Sequence, residues 1–368
     1  MIHNRDEVPV TVMDDATRRL ADGALHPPFL YAMGPDDARL ALDLMQAPPE
    51  VPADLEHRVI EITTGRKAMP VHLLIPRGAV SAPIILYAHG GGWVLGGWSS
   101  HHRLATTLSR ETGAIVVMPE YSRVPEARYP VAITQLATTL AAIRSGTLPI
   151  PGDPHRIALL GDCAGATLAL SLALLDRPTP LVAQVLLYPI ARPAPGDRSA
   201  SDFATGAALR LADVRRLCHE YAPRGEALAD PIGTPDPTGL PPTLLITAEA
   251  DVTRDRSEDF GNRLRTAGVP VTVTRYLGAV HDFAVLDALR WTSPARTAIT
   301  QITDYLRTAF TTPPEGTAFT TLPEKTTSPE KATSPEKTAF TTLPEKAAFS
   351  APPEMTAAEE TGRVAGQA

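Results

Sequence analysis

Between residues 59 and 310 the chain alternates short apolar runs, rich in β-branched residues, with segments of helical periodicity. Strands are expected at 59–64, 71–76, 84–90, 114–120, 156–162, 183–189, 243–251 and 271–277. Helices are expected at 102–111, 131–145, 164–176, 256–268 and 293–310, the last capped by Ser293 with Pro294 at its first helical position. Runs such as IILYA and IALLG show no polar alternation, so both faces must be covered, as in a strand inside a parallel sheet. Eight such strands joined by crossover helices define an α/β chain, a doubly wound and mostly parallel eight-stranded sheet with flanking helices. Two helix-like stretches, within residues 1–50 and at 201–222, interrupt the rhythm. They are expected to form a helical cap over the carboxyl ends of the strands, where open α/β sheets bind ligands.

These patterns divide the chain into an N-terminal helical cap segment (1–50), the main α/β domain (51–311, with a cap insertion at about 195–225) and a tail (312–368). In the tail TAFTTLPEK occurs at 317–325 and again at 338–346, and Pro, Glu, Lys and Thr dominate. Such a segment buries too little apolar surface to offset its ordering entropy, so disorder is expected there. The net charge of −7, with no basic stripe interleaved with aromatics, argues against nucleic acid as a partner. No run of eighteen apolar residues exists, so no membrane span is expected. The first residues lack a basic stretch followed by an apolar run, so no signal peptide is expected. Only two cysteines, Cys163 and Cys218, fit a reducing cytoplasm. No CxxC or HExxH spacing occurs, and the adjacent His101 and His102 have no neighbouring ligand pattern, so neither metal nor other cofactor is expected.

The chemistry concentrates at GDCAGA, residues 161–166. A strand precedes it and a helix follows, the context of a nucleophile elbow, with Cys163 at the reacting position. Gly161 and Gly165 relieve the crowding of so tight a turn, and Ala164 and Ala166 add little bulk. The helix N-terminus behind Cys163 is expected to favour a thiolate. Upstream, HGGGW (89–93) ends a strand, and consecutive glycines let backbone N–H groups converge. Gly91, Gly92 and, from the elbow, Ala164 are the expected oxyanion-hole donors. His89 is expected to organise this loop, and Trp93 to pack against it or line the substrate pocket. Asp251 ends a later strand and His281 follows the last one, so nucleophile, acid and base occur in the order of an α/β-hydrolase fold. Two rival acids are present: Asp255, at a helix start where an acidic residue is favourable anyway, and Asp282, beside His281, where adjacent side chains seldom face each other.

Together HGGGW (89–93), YSRVPEARYP (121–130), GDCAGA (161–166), LLYP (186–189), PPTLLITAEADVTRD (241–255) and HDF (281–283) resemble the hormone-sensitive lipase family of α/β hydrolases over residues 55–310. The resemblance implies hydrolysis of small acyl or aryl carboxylic esters without a cofactor. It also implies supporting roles for Asp162, just before the nucleophile, and for Tyr121, Arg123, Pro125 and Glu126, which match a bracing block. Three departures stand out: the family's GDSAGG reads GDCAGA, its HGF reads HDF with Asp282 in place of glycine, and the tail has no counterpart.

Sulfur changes the expected chemistry. Acylation of Cys163 gives a thioester, which reacts well with amines, thiols and other soft nucleophiles and less readily with water. The leading expectation is therefore a Cys163–Asp251–His281 hydrolase of esters, thioesters or lactones. An acyltransferase or cyclase on the same scaffold and a catalytically inactive binding protein are the alternatives. The expected partner is a small-molecule acyl substrate, free or carrier-bound; the sequence leaves the oligomeric state open, a homodimer included.

Overall fold

A computed structural model describes residues 11–311, except 66, 178, 179 and 235. All eight expected strands form one sheet: β1 (Leu55–Thr64), β2 (Lys67–Pro76), β3 (Ala82–Ala88), β4 (Ile115–Pro119), β5 (Gly152–Asp162), β6 (Ala183–Leu187), β7 (Thr243–Ala250) and β8 (Val271–Val280). Their spatial order is β1-β2-β4-β3-β5-β6-β7-β8. The pairings from β4 through β8 are parallel, and β1 and β2 are antiparallel additions at one edge.

The sequence explains which strands lie inside. The residues of β4 and β6 are buried throughout, as their unbroken apolar runs require, whereas the edge strand β1 is mostly half-buried or exposed. In chain order the helices are α1 (Asp15–Ala24), α2 (Pro35–Leu44), α3 (Trp98–Thr112), α4 (Val131–Arg144), α5 (Ala164–Asp176), α6 (Arg198–Asp202), α7 (Leu211–Tyr221), α8 (Arg254–Thr266) and α9 (Ser293–Thr311). α3 and α9 pack together on one face of the sheet, and α4, α5 and α8 cover the other. Ser293 is the first residue of α9 rather than its cap: Thr292 Oγ1 accepts from the Ala295 amide at 3.3 Å, one position earlier than expected.

α1, α2 and α7 supply the expected helical cap, and residues from all three line a cavity at the carboxyl ends of the strands. The cap is tied down by charge. Arg39 on α2 donates to both carboxylate oxygens of Glu126, at 2.7 and 2.8 Å, and to the carbonyls of Val94 and Val124 at 2.9 and 3.0 Å. Arg210 makes a two-pronged pair with Asp213 of α7 at 2.7 and 2.6 Å and lies 3.5 Å over the ring of Phe29. No described helix is long and apolar enough to cross a membrane. The repeat-bearing stretch 312–368 lies outside the described residues.

Candidate active site

Cys163 sits between β5 and α5 with φ 51° and ψ −120°, a left-handed conformation that non-glycine residues rarely adopt. The turn is that tight because α5 must rise directly over the sheet. A side-chain carbon at Gly165 would stand 2.0 Å from the Ala88 carbonyl oxygen, and one at Gly161 would stand 2.2 Å from the Gly165 oxygen. Both obstacles are backbone and cannot swing aside. Gly165→Ala is therefore expected to cost about 4 kcal/mol or more, or to prevent folding, as measured by urea unfolding. The Cys163 backbone is further fixed by donation from its amide to the Leu187 carbonyl at 2.9 Å.

The glycine-rich loop after β3 turns with Gly91 at φ 103° and Gly92 at φ 62°. The amides of Val94 and Leu95 both donate to the Gly91 carbonyl, at 3.1 and 2.8 Å, and hold the loop closed. The N–H groups of Gly91, Gly92 and Ala164 make no hydrogen bond among the described residues, and Gly91 reaches the cavity wall. His89 is bonded into this loop. Its Nδ1 donates to the Gly90 carbonyl at 2.9 Å, its own carbonyl accepts from Tyr121 Oη at 2.7 Å, and the two rings stack at 4.2 Å. Burial pushes the His89 pKa down to about 4, so it stays neutral and is no base near neutral pH. Asp162 accepts from Tyr87 Oη at 2.7 Å and pairs with His101 Nε2 at 3.3 Å. Burial opposes both charges, but each holds the other: the carboxyl of Asp162 lies below its ordinary value and the imidazole of His101 above. Arg123 donates to the Gly96 carbonyl. Glu126 instead receives Arg39 and so fastens the cap.

His281 follows β8 and is 2% exposed. Its Nδ1 lies 2.7 Å from Asp251 Oδ2. The other oxygen of Asp251 accepts from the Thr253 amide at 2.8 Å and from Thr253 Oγ1 at 2.9 Å, which sets the carboxylate plane. Tyr188 packs its ring against the imidazole at 5.1 Å. Asp255, the first rival acid, is committed elsewhere, accepting from the Ser199 amide at 2.9 Å and from Arg254 Nε at 2.8 Å.

Asp282 departs from the expectation that neighbouring side chains turn apart. With φ 61°, its carboxylate swings back to 3.6 Å from His281 Nε2, so the imidazole is flanked by a carboxylate on each side. The ligating atoms of Cys163, His281 and Asp282 lie within 4.8 Å of one another. The sulfur and the imidazole are near enough to interact electrostatically, yet Nε2 meets no hydrogen-bond partner.

The resting ionisation also departs from expectation. Burial pushes the Cys163 thiol up; His281 pulls the other way, but Asp282 and Asp162 add to the rise, and the thiol ends above its ordinary value. Complete burial beside two carboxylates opposes the helix N-terminus. Burial likewise opposes a charged His281, but Asp251, Asp282 and Cys163 outweigh it and hold the imidazole well above its ordinary value. Burial and the two carboxylates thus work against the thiolate the elbow suggested.

The cavity above this cluster has a volume of about 560 Å³. Its wall is mainly apolar, with Leu20, Phe29, Leu42 and Leu209 from the cap, while Gly91, His101, His281 and Asp282 form the polar end. Cys163 is fully buried and does not reach the wall; Asp282 does. Trp93 is not part of the wall: it stacks on Tyr221 of α7 at 4.6 Å, joining loop to cap. Sequence reasoning missed Tyr31 and His101 on the cavity wall and Arg39 on α2, because the contacts that place them, with Gly92, Asp162 and Val94, reach 55 or more residues along the chain.

An eight-stranded, mostly parallel sheet with the reacting residue on a strand-to-helix elbow and the histidine after the last strand defines an α/β hydrolase. The family described as alpha/beta hydrolase fold matches residues 85–285, and the chain belongs to it. It is 32% identical over 273 residues to the carboxylesterase NlhH of Mycobacterium tuberculosis, covering 69% of this chain and 84% of that one. It is 33% identical over 236 residues to an acetyl-hydrolase of Streptomyces hygroscopicus, covering 61% of this chain and 75% of the relative. Among solved structures, a thermostable esterase from Pseudomonas putida ECU1011 superposes with a TM-score of 0.76 at 29% identity, covering 82% of this chain and 98% of that one.

Proposed function

We propose that this protein hydrolyses small carboxylic esters through an acyl-thioester on Cys163, as a cysteine-bearing member of the hormone-sensitive lipase group. The observation that carries the reading is the Cys163 elbow beside a His281 whose Nδ1 is held by Asp251 at 2.7 Å. The similarity to a carboxylesterase, an acetyl-hydrolase and an esterase supports an ester as the substrate class. An apolar cavity of about 560 Å³ suits a small acyl or aryl group.

In the first half-reaction the neutral form of His281 takes the thiol proton at Nε2 as sulfur bonds to the ester carbonyl carbon. The amides of Gly91, Gly92 and Ala164 receive the oxyanion, and the carbon–oxygen bond breaks as Nε2 returns the proton to the leaving alkoxide. Water then attacks the thioester, gives its proton to Nε2, and the acid leaves as sulfur recovers the proton. Asp251 keeps Nδ1 protonated throughout, so that Nε2 is the free acceptor.

The test is incubation with p-nitrophenyl acetate, followed through p-nitrophenol release and mass spectrometry. An acetyl adduct on the Cys163 peptide that turns over in water is expected. Cys163→Ala should lose both adduct and turnover, by about three orders of magnitude or more in rate, with its melting temperature little changed. Turnover unchanged in that variant would remove the proposal. Added amine acceptors would reveal any transfer as an amide product.

A further inference from the structure

Two polar atoms at the end of the cavity are buried without a hydrogen bond of ordinary length: His281 Nε2 and Asp282 Oδ1. They lie 3.6 Å apart, and the Cys163 sulfur completes a triangle in which no ligating atom is more than 4.8 Å from another. From this convergence we infer that Cys163, His281 and Asp282 form a binding site for a divalent zinc-like cation. The inference stands independently of the ester-hydrolysis reading.

The geometry fits the ion. Zinc bonds imidazole nitrogen and carboxylate oxygen at about 2.0–2.2 Å, and tetrahedral angles at those lengths put the two ligand atoms about 3.4 Å apart. The observed 3.6 Å needs a shift of only a few tenths of an ångström, and the sulfur, within 4.8 Å of both atoms, must close by up to about 1 Å. A thiolate, an imidazole and a carboxylate select zinc over magnesium or calcium, which prefer all-oxygen sites. The charges balance: one thiolate and one carboxylate neutralise the dication in a buried place, where an uncompensated charge would be costly.

The support around the first ligands is already built. A metal-binding histidine commonly donates its other ring N–H to a carboxylate, which fixes the ring. Asp251 does so at Nδ1, and Thr253 fixes Asp251. His281 and Asp282 both border the cavity, which leaves the fourth coordination position toward water or a ligand carbonyl. Binding displaces the thiol proton, and any proton on Nε2, into solvent. The bound ion shields the sulfur from alkylation and stops it acting as a nucleophile. Glycine at position 282 would supply no third ligand, so the site belongs to the HDF variant of the motif.

The experiment uses the full chain, stripped of metal with a chelator, and Zn²⁺ or Co²⁺ alone as the probe. One Zn²⁺ per chain should bind with a micromolar or lower Kd by equilibrium dialysis, with Mg²⁺ and Ca²⁺ not competing. Co²⁺ should give a near-ultraviolet thiolate-to-metal charge-transfer band. Zn²⁺ should slow iodoacetamide labelling of Cys163 at least tenfold. Asp282→Asn should weaken zinc at least tenfold, Cys163→Ala should abolish the cobalt band, and Cys218→Ala should change neither. Absence of stoichiometric zinc on the wild-type chain, or unprotected Cys163, would overturn the inference without reference to any variant's folding. Equal affinity in Asp282→Asn would do the same. Ester turnover by the metal-free chain without zinc binding would sink this inference alone; zinc binding without acylation would sink the hydrolytic reading alone.

Discussion

Asp251→Asn will lower kcat for ester hydrolysis by about 10³–10⁴ while changing KM little. The reason lies in the proton on the imidazole. Asp251 Oδ2 accepts from His281 Nδ1 at 2.7 Å, and its other oxygen is fixed by Thr253. An asparagine held by the same two donors would turn its amide N–H toward Nδ1. The ring would then carry its proton on Nε2, facing a thiol that also needs to give one up. The opposite outcome, full activity in Asp251→Asn with loss in Asp255→Asn, would move the acid role to Asp255. The Ser199 and Arg254 partners of Asp255 argue against that.

Asp282→Gly is expected to raise the rate of iodoacetamide labelling at Cys163, at pH 7 and without metal, by about an order of magnitude. The ascending limb of the pH–rate profile for ester hydrolysis should move to lower pH. Burial raises the thiol, and Asp282 raises it further; burial opposes the charged imidazole, and Asp282 is among the carboxylates that overcome it. Removing that carboxylate lowers both proton affinities, so free base and ionised sulfur become available at lower pH. It also clears a side chain from the wall between the cavity and the sulfur. The φ of 61° at this position suits glycine, so the variant should fold at least as well. A labelling rate and a pH profile equal to the wild type would show that Asp282 does not control the thiol.

Much of this was legible in the sequence because it rests on local pattern. Unbroken apolar runs such as IILYA and IALLG mark inner strands whatever their partners. GDCAGA and HGGGW carry their glycines where the backbone has no room or turns left-handed, as Gly165 and Gly91 demonstrate. The order of Cys163, Asp251 and His281 along the chain is likewise a local fact about strand ends. What escaped depends on distance or environment. Arg39 reads as one of many arginines until Glu126, 87 residues on, closes on it. Trp93 follows three glycines and looks like a wall of the pocket, but Tyr221 from the cap draws it into a stack. His101 was set aside with its neighbour because only the fold brings Asp162 to it. The upward push on the Cys163 thiol escaped because a helix N-terminus is visible in sequence, whereas complete burial beside Asp282 and Asp162 is not.

The guanidinium of Arg39 grips the carbonyls of Val94 and Val124, in and beside the glycine-rich loop, and a carboxylate at once. Val124 is itself laced to Trp93 through an amide-to-carbonyl bond of 2.8 Å. Detaching α2 would forfeit several charge-assisted bonds in one motion. Opening of the roof to admit a guest is therefore expected to leave α2 in place, held by Arg39 to the segments below it.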